Sequence, residues 1–370
     1  MLFIIGLLFL VTCHGEKSLK IDIYPGFGWD HLRFLDMSPV FNISNFNDSD
    51  IFQSCVEMIP LHENKIEMGS TFLNTFDSQK NDYSSTLMIG ASAGFGGFKI
   101  GGSYSNEYQR IKAEQKELKS ITLHNQIDYL MVDTIILPSC PLATHVKKEL
   151  IQIAQYAMTG QPLMATYAAE LFVKKYGTHY TSRLYLGGSI SEDDFISESE
   201  YLSTETNKKL YKAAAEASFL GSFSLSASFS SSSSLNQNDI NRFKQQIQRK
   251  IINAKGGDVF ILGNQMSVWQ SSVKTKPAII RRAIENITSI IQSEKIPELS
   301  FAGLIEVQKK INDAIETYIE MNTIRGCMNR LSPSFNWVAN VDDGLCAPAS
   351  LKFQFGGFIQ TCVEDSRLEQ

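Results

Sequence analysis

Apolar positions along the chain follow three kinds of pattern. Between residues 121 and 137 they alternate at Ile121, Leu123, Ile127, Tyr129 and Met131, within a stretch rich in β-branched and aromatic side chains, which predicts a strand. A further strand is predicted from Thr178 to about Ser197. Helical spacing appears at about 143–158, after Pro141, and at about 163–175, after Pro162. It returns across 301–320, where Leu304, Val307, Ile311, Ile315, Tyr318 and Ile319 mark one face. Phe243, Ile247 and Ile251, read alone, also have helical spacing, and residues 18–60 read as mixed and turn-rich.

Two segments alternate in a different way, with glycine or serine filling the polar phase. In 83–105 the odd positions Leu87, Ile89, Ala91, Ala93 and Phe95 are apolar. At Gly96-Gly97 the phase flips, and Phe98, Ile100 and Tyr104 continue on even positions, as at a bulge or tight turn. In 217–234, Phe219, Phe223, Leu225, Ala227 and Phe229 are odd, while serines fill even positions from Ser222 to Ser230. A membrane-spanning β-strand needs about 9–11 residues with one lipid face and one polar face, and 219–230 is long enough. The same alternation also suits an amphipathic strand of a soluble sheet. Helix formers crowd Asn207–Leu220 and include Ala213, Ala214 and Ala215, so this stretch tolerates both helix and strand. Two viable packings are what a conformational switch requires.

Composition narrows the classes. With 43% hydrophobic and 20% charged residues, the 370-residue chain is globular rather than disordered. A net charge of −5 supplies no general basic field, and no nucleic-acid partner is expected. Residues 1–15 carry an apolar run shorter than the roughly 20 residues of a spanning helix and end in small or polar residues. They read as a secretory signal, although no Lys or Arg precedes the run.

Secretion gives the cysteines a meaning, because extracellular compartments favour disulfides. Cys327 and Cys346 enclose a short loop and are the expected first pair, leaving Cys55 with Cys140 as the long-range pair. Cys362 is left over, which implies an intermolecular bond, a free thiol or a chain that continues. Sequons at Asn42, Asn47 and Asn286 are candidate glycosylation sites.

Catalytic motifs are nearly absent. Gly90-Ala-Ser92-Ala-Gly94 matches G-x-S-x-G by letter, but alternation runs straight through Ser92 and no helix follows, so no nucleophile elbow is expected there. No cysteine has C-x-x-C spacing and no zinc site is expected. His31, His62, His124, His145 and His179 are scattered and read as surface or capped residues. Glu192-Asp193-Asp194 reads as a solvated turn, and Asp342-Asp343-Gly344 as a turn held by its Asp side chains. The reading is of a non-enzyme without cofactor or metal.

One motif is specific. Phe172-Val-Lys-Lys-Tyr-Gly-Thr-His-Tyr180, followed by Leu186-Gly187-Gly188, resembles the signature of the membrane-attack-complex/perforin (MACPF) family. In it Tyr176, Gly177, Thr178, His179, Tyr180, Gly187 and Gly188 are the signature positions. Stretches at Gly28–Met37, Met164–Glu170, Asn336–Cys346 and Phe355–Cys362 are similar to the macrophage-expressed perforin-like branch.

The resemblance implies an α+β, MACPF/cholesterol-dependent-cytolysin-like fold. Its centre would be a bent four-stranded antiparallel sheet flanked by two helical clusters, each able to unwind into a membrane hairpin. With the signal peptide at 1–15, it implies a MACPF domain at 16–325 and a small, EGF-like, disulfide-containing tail at 326–370. It places a strand, not a helix, before a sheet bend at Gly256 and Gly257. The inserting residues would be Leu87, Ile89, Phe95, Phe98, Ile100, Phe219, Phe223, Leu225 and Phe229, within segments near 83–118 and 200–240. The implied partners are a target lipid membrane and other copies in a homo-oligomeric ring. The implied setting is extracellular, or the endolysosomal or phagosomal lumen, in innate antibacterial defence. A non-lytic binding or developmental protein on the same fold is the alternative.

Overall fold

Long alternating runs become long strands. The computed structural model describes residues 24–43, 55–73, 100–197, 205–223, 236–258, 266–329, 332–346 and Gly356. Two short strands, β1 (Phe27–Asp30) and β2 (Leu35–Pro39), precede the long β3 (Val56–Leu73), β4 (Ser120–Ile136) and β5 (His179–Ser197). β3 pairs antiparallel with β4, and β4 with β5. The far side of β5 is taken by two strands in succession, β6 (Ile247–Lys255) beside Ser189–Ile196 and β7 (Ala278–Asn286) beside His179–Gly187. The frame is therefore a four-lane antiparallel sheet whose fourth lane is broken in the middle. β1 joins at Gly28, opposite Tyr180, beyond the point where β4 ends.

Helices fill the connections. The first, α1 (Asn106–Leu118), starts where the Ser105 side chain accepts from the Tyr108 N–H. It stops at Lys119, whose left-handed backbone (φ 46°) turns the chain directly into β4. Next come α2 (Thr144–Met158) and α3 (Pro162–Tyr176), the latter with proline in its first turn. α4 (Glu205–Ser222) and α5 (Gln237–Gln246) lie between β5 and β6, and α6 (Met266–Val273) lies in the break between β6 and β7. The last helix, α7 (Phe301–Met321), packs with α2 and α3 into the largest core, around Leu150, Ile153, Phe172, Val307 and Ile311. Cys55–Cys140, 85 residues apart in sequence, closes inside that core.

A small tail follows α7. β8 (Arg325–Gly326) and β9 (Val341–Asp342) pair in parallel, and Cys327–Cys346 closes the loop between them. The Asp turn forms as expected. Asp342 accepts from the Met328 and Gly344 N–H groups, and Asp343 from that of Leu345. Among the described residues no helix is long and apolar enough to cross a membrane.

Three local expectations change. The stretch read as turn-rich contributes β1, β2 and the start of β3, because their partners, chiefly β4 and β5, lie far along the chain. The reading at Phe243, Ile247 and Ile251 divides. An Asn236/Asp239 capping box starts α5 and keeps Phe243 helical, and from Ile247 onward pairing with β5 imposes a strand. Glu192-Asp193-Asp194 is not a turn. It lies in β5 opposite both β4 and β6, and all three side chains are buried.

Candidate functional site

Two helical inserts leave the sheet from one end. Leu73 ends β3 opposite Thr122, Ser120 begins β4 opposite Ser197, and Ile196 of β5 faces Ile247, where β6 begins. The first insert, 74–119, thus joins two neighbouring antiparallel strands, and the second, 198–246, joins the next two.

The inserts dock on opposite faces. Side chains alternate across a sheet, and the pairing of His124 with Asp193 fixes which positions share a face. On that face α1 buries Ile111 against Leu73 and Phe195. Gln115 donates to the Leu73 carbonyl at 2.9 Å and to the Thr122 hydroxyl at 2.8 Å, and Arg110 reaches Asp193 at 3.4 Å. On the other face α4 buries Phe219, Leu220 and Phe223 with Ile127, Tyr129 and Ile190. It also buries Ala214 and Ala215 with Ile121, Leu123, Ile196 and Phe243.

Of the predicted inserting residues, Ile100, Phe219 and Phe223 are buried. Leu87, Ile89, Phe95, Phe98, Leu225 and Phe229 lie outside the described residues. The packing of Phe219 in α4 and of Phe223 just past its end has a simple reason. A period of two includes every fourth position, so both rings fall on one helix face as well as one strand face, and they meet edge to face at 5.1 Å.

The glycines lie at the bend. A Cβ on Gly187 would stand 1.9 Å from the Tyr129 carbonyl oxygen, so only glycine lets β5 approach β4 there. Gly188 faces Trp269 and Val273 of α6. Across from them the fourth lane breaks at Gly256 and Gly257, both with positive φ, and the Gly257 N–H bonds to the Lys276 carbonyl. α6 therefore packs on Gly188 and Gly257, at the break in the fourth lane.

The remaining signature residues form a corner at the start of β5. Gly177 ends α3 with φ 82°, and a Cβ there would meet the Trp29 carbonyl at 2.3 Å. The Thr178 N–H donates to that same carbonyl, and the Thr178 hydroxyl accepts from the His31 N–H at 3.3 Å. Tyr176 is buried and donates to Glu149 at 3.2 Å, and burial pushes its hydroxyl up to about 12. Tyr180 donates to Glu285 at 2.6 Å.

His179 is fully buried, with its ring 5.0 Å from that of His31. Burial lowers His31 to about 4, and burial together with His31 holds His179 well below the ordinary range. The turn 100–104, where the first insert returns toward α1, rests on this corner. The Gly102 and Tyr104 N–H groups donate to the His31 and Leu32 carbonyls.

His124 is buried as well, so the surface reading fails there and holds for the exposed His145. Burial acts to lower His124, but the 2.6 Å contact with Asp193 outweighs it and the pKa is raised. On the opposite face Glu192 and Asp194 share Lys250, and burial beside Glu192 raises Asp194 to about 8. Sequence reading missed this buried ionic layer, since three consecutive acids look solvated until pairing places them mid-strand.

Among the described residues no group of three or more His, Cys, Asp or Glu side chains is placed to hold a metal ion. Asn42 and Asn286 are part-buried, and Asn286 caps a short 3-10 turn by accepting from the Thr288 N–H. Asn47 lies outside the described residues.

A bent four-lane sheet with two helical inserts leaving one end is the frame of a membrane-attack/perforin-type domain. The family model described as the MAC/Perforin domain matches residues 20–328, and the chain belongs to that family. Among solved structures, the fold is similar to GNIP1Aa from Chromobacterium piscinae, with a TM-score of 0.51 and 12% identity, over 80% of this chain and 55% of that one. A putative cell invasion protein with a MAC/Perforin domain from Bacteroides thetaiotaomicron matches with a TM-score of 0.47 and 14% identity, over 78% of this chain and 59% of that one. Astrotactin-2, described as a vertebrate-specific, perforin-like membrane protein involved in neuronal development, matches with a TM-score of 0.38 and 10% identity, over 78% of this chain and 95% of its own. The chain spans little more than half the length of the first two.

Proposed function

We propose that this protein is a pore former of innate antibacterial defence, related to the macrophage-expressed perforin-like branch. It is secreted, or held in the endolysosomal or phagosomal lumen, and acts on a target lipid membrane without enzymatic chemistry. The observation that carries the reading is the common exit of both inserts. Each joins adjacent antiparallel strands at the same end of the sheet, so unwinding either one extends two paired strands into a hairpin. Each insert is long enough for two strands of about 9–11 residues.

Isolated hairpins would leave unpaired backbone groups in lipid, so insertion requires a closed barrel built from many copies. Among the described residues, β3 pairs on one side alone, with β4, and β6 and β7 pair with β5. These two lateral edges are where neighbouring copies would add.

A cross-link across α1 tests this. Glu114 of α1 and Arg249 of β6 form a partly exposed ion pair at 2.6 Å. In a Glu114→Cys, Arg249→Cys variant, a short bismaleimide bridge pins the first insert to the sheet. Liposomes of phosphatidylethanolamine and phosphatidylglycerol are followed at pH 7.4 and 5.0 by dye release and electron microscopy. The unbridged variant should form rings and release dye, and the bridged one should bind with at least tenfold less release. Equal release with the bridge complete overturns the hairpin reading. Binding without rings or release, in every variant and at both pH values, favours the non-lytic alternative.

A further inference from the structure

α1 is a weak helix on the sheet by its own residues. Its sequence, NEYQRIKAEQKEL, is mostly polar, and four of its side chains are buried: Tyr108, Ile111, Lys112 and Gln115. Ile111 and Gln115 face the sheet, as described above. Tyr108 and Lys112 meet a further neighbour. They are covered by the tail that follows α7.

Tyr108 packs in a small apolar cluster with Met328 and Ala339, flanked by Phe335 and Trp337. The Lys112 ammonium donates to the Ala339 carbonyl at 3.4 Å, and the Lys116 ammonium stands 5.6 Å over the Trp337 ring. At the start of the helix the tail also holds the incoming chain. The Asn340 amide donates to the Ser103 hydroxyl at 3.4 Å and to the Asn322 carbonyl at 2.8 Å. The Tyr104 hydroxyl donates to that same Asn322 carbonyl at 2.8 Å. Three segments thus meet at the end of α7: the arm before α1, the tail loop and the helix terminus.

The character of these contacts matters. β8 and β9 pair with each other. The contacts described between the tail and α1 include a ring cluster, a cation over an aromatic face and single hydrogen bonds. Such contacts separate without unfolding the sheet. The tail loop is closed by Cys327–Cys346, and Asn340 ties it to the segment just after α7 by accepting from the Ile324 N–H at 2.8 Å. The tail can therefore lift from α1 while remaining attached to α7.

We infer that the disulfide-closed tail, 327–346, is a latch that holds α1 on the sheet and restrains the first insert from leaving before the second. Among the described residues, the clusters that bury the second insert contain no residue of the tail. α4 and α5 are buried against the sheet, α6 and each other. The inference rests on the pore-forming reading for its consequence, but the latch itself is measurable in protein free of lipid.

Two variants separate the possibilities. Trp337→Ala removes the largest ring of the cover, and Cys327→Ser with Cys346→Ser opens the loop. Hydrogen exchange of backbone amides is followed in lipid-free protein, with β4 as an internal reference for global folding and α4 as the unlatched insert. Both variants should speed exchange across 106–118 at least tenfold, leave β4 unchanged and leave α4 within about twofold. Dye release from the liposomes above should begin sooner in both variants. Unchanged exchange in α1, or acceleration shared equally by β4, overturns the latch. Faster α1 exchange with slower or equal release than the parent protein overturns its role as a restraint. Faster α1 exchange with no release from any form, parent included, leaves the latch standing and overturns the pore-forming reading instead.

Discussion

At the scale of single residues, the corner at His31 and His179 couples the family signature to proton concentration. Burial holds His31 at about 4, below the ordinary value near 6.5, so between those values the unfolded chain binds more protons than the folded one. Stability from this residue is complete above about 6.5 and is lost as the pH falls toward 4, by roughly 3 kcal/mol in all. The His31 ring lies beside those of Phe34 and His179, and His179, itself depressed, works in the same direction. Asp194 and His124 have raised values and oppose the trend, because the folded state binds their protons more tightly. The prediction is therefore a difference between proteins. Urea unfolding of the parent at pH 7 and 5 should show a larger acid loss than His31→Asn, and equal slopes would show that His31 is not the group responsible. The signature letters were legible as a motif. That its histidine meets another histidine 148 positions away, beside the turn 100–104, was not, because only the β1–β5 contact creates that neighbour.

At the scale of elements, α4 shows how one pattern serves two conformations. Phe219 and Phe223 read as a strand stripe from spacing alone, yet Phe219, in α4, and Phe223, in the turn that ends it, are buried against Ile127, Tyr129 and Trp269. Helix formers upstream and the alanines at 213–215 decide for helix as long as the sheet offers that surface. Phe219 has no exposed surface, so Phe219→Ala leaves a cavity and should cost about 3 kcal/mol. In calorimetry the melting temperature should fall by several degrees, and exchange across 209–223 should speed while α1 keeps its protection. An unchanged melting temperature would mean that α4 contributes little to the resting state. The helices α2, α3 and α7 were legible to within a residue or two, since each has its own apolar face and most have a capping residue or proline at the start. The short strands β1 and β2 were not, since four or five residues carry too little pattern.

At the scale of the whole molecule, the long disulfide ties the start of the sheet to the helical core. Cys55 precedes β3 and Cys140 precedes α2. Closing a loop of this length restricts the unfolded chain by about 4–5 kcal/mol on the chain-entropy account. Cys55→Ala with Cys140→Ala should lower the urea midpoint by a matching amount without changing the far-ultraviolet circular dichroism of the folded protein. A loss below about 1 kcal/mol would show that the core holds these ends together unaided. The bond also fixes one end of the sheet, and both inserts leave from the other. Any rearrangement of the inserts can thus proceed while the three-helix core stays whole.

Sequence by itself determined the periodicities, the cysteine pairs, the signature and the two segments with small-residue alternation, because each is a local property of spacing or residue type. Tertiary structure decided which state those segments occupy, which faces of the sheet they cover and which charges are buried. Glu192, Asp193 and Asp194 illustrate the reason. Their chemistry is written in the chain, but their burial depends on β4 and β6, strands that begin about 70 residues before and 50 residues after them. The same holds for α1. Its polar sequence gives little cause to stay on the sheet, and the residues that cover it lie more than 200 positions away, in the tail.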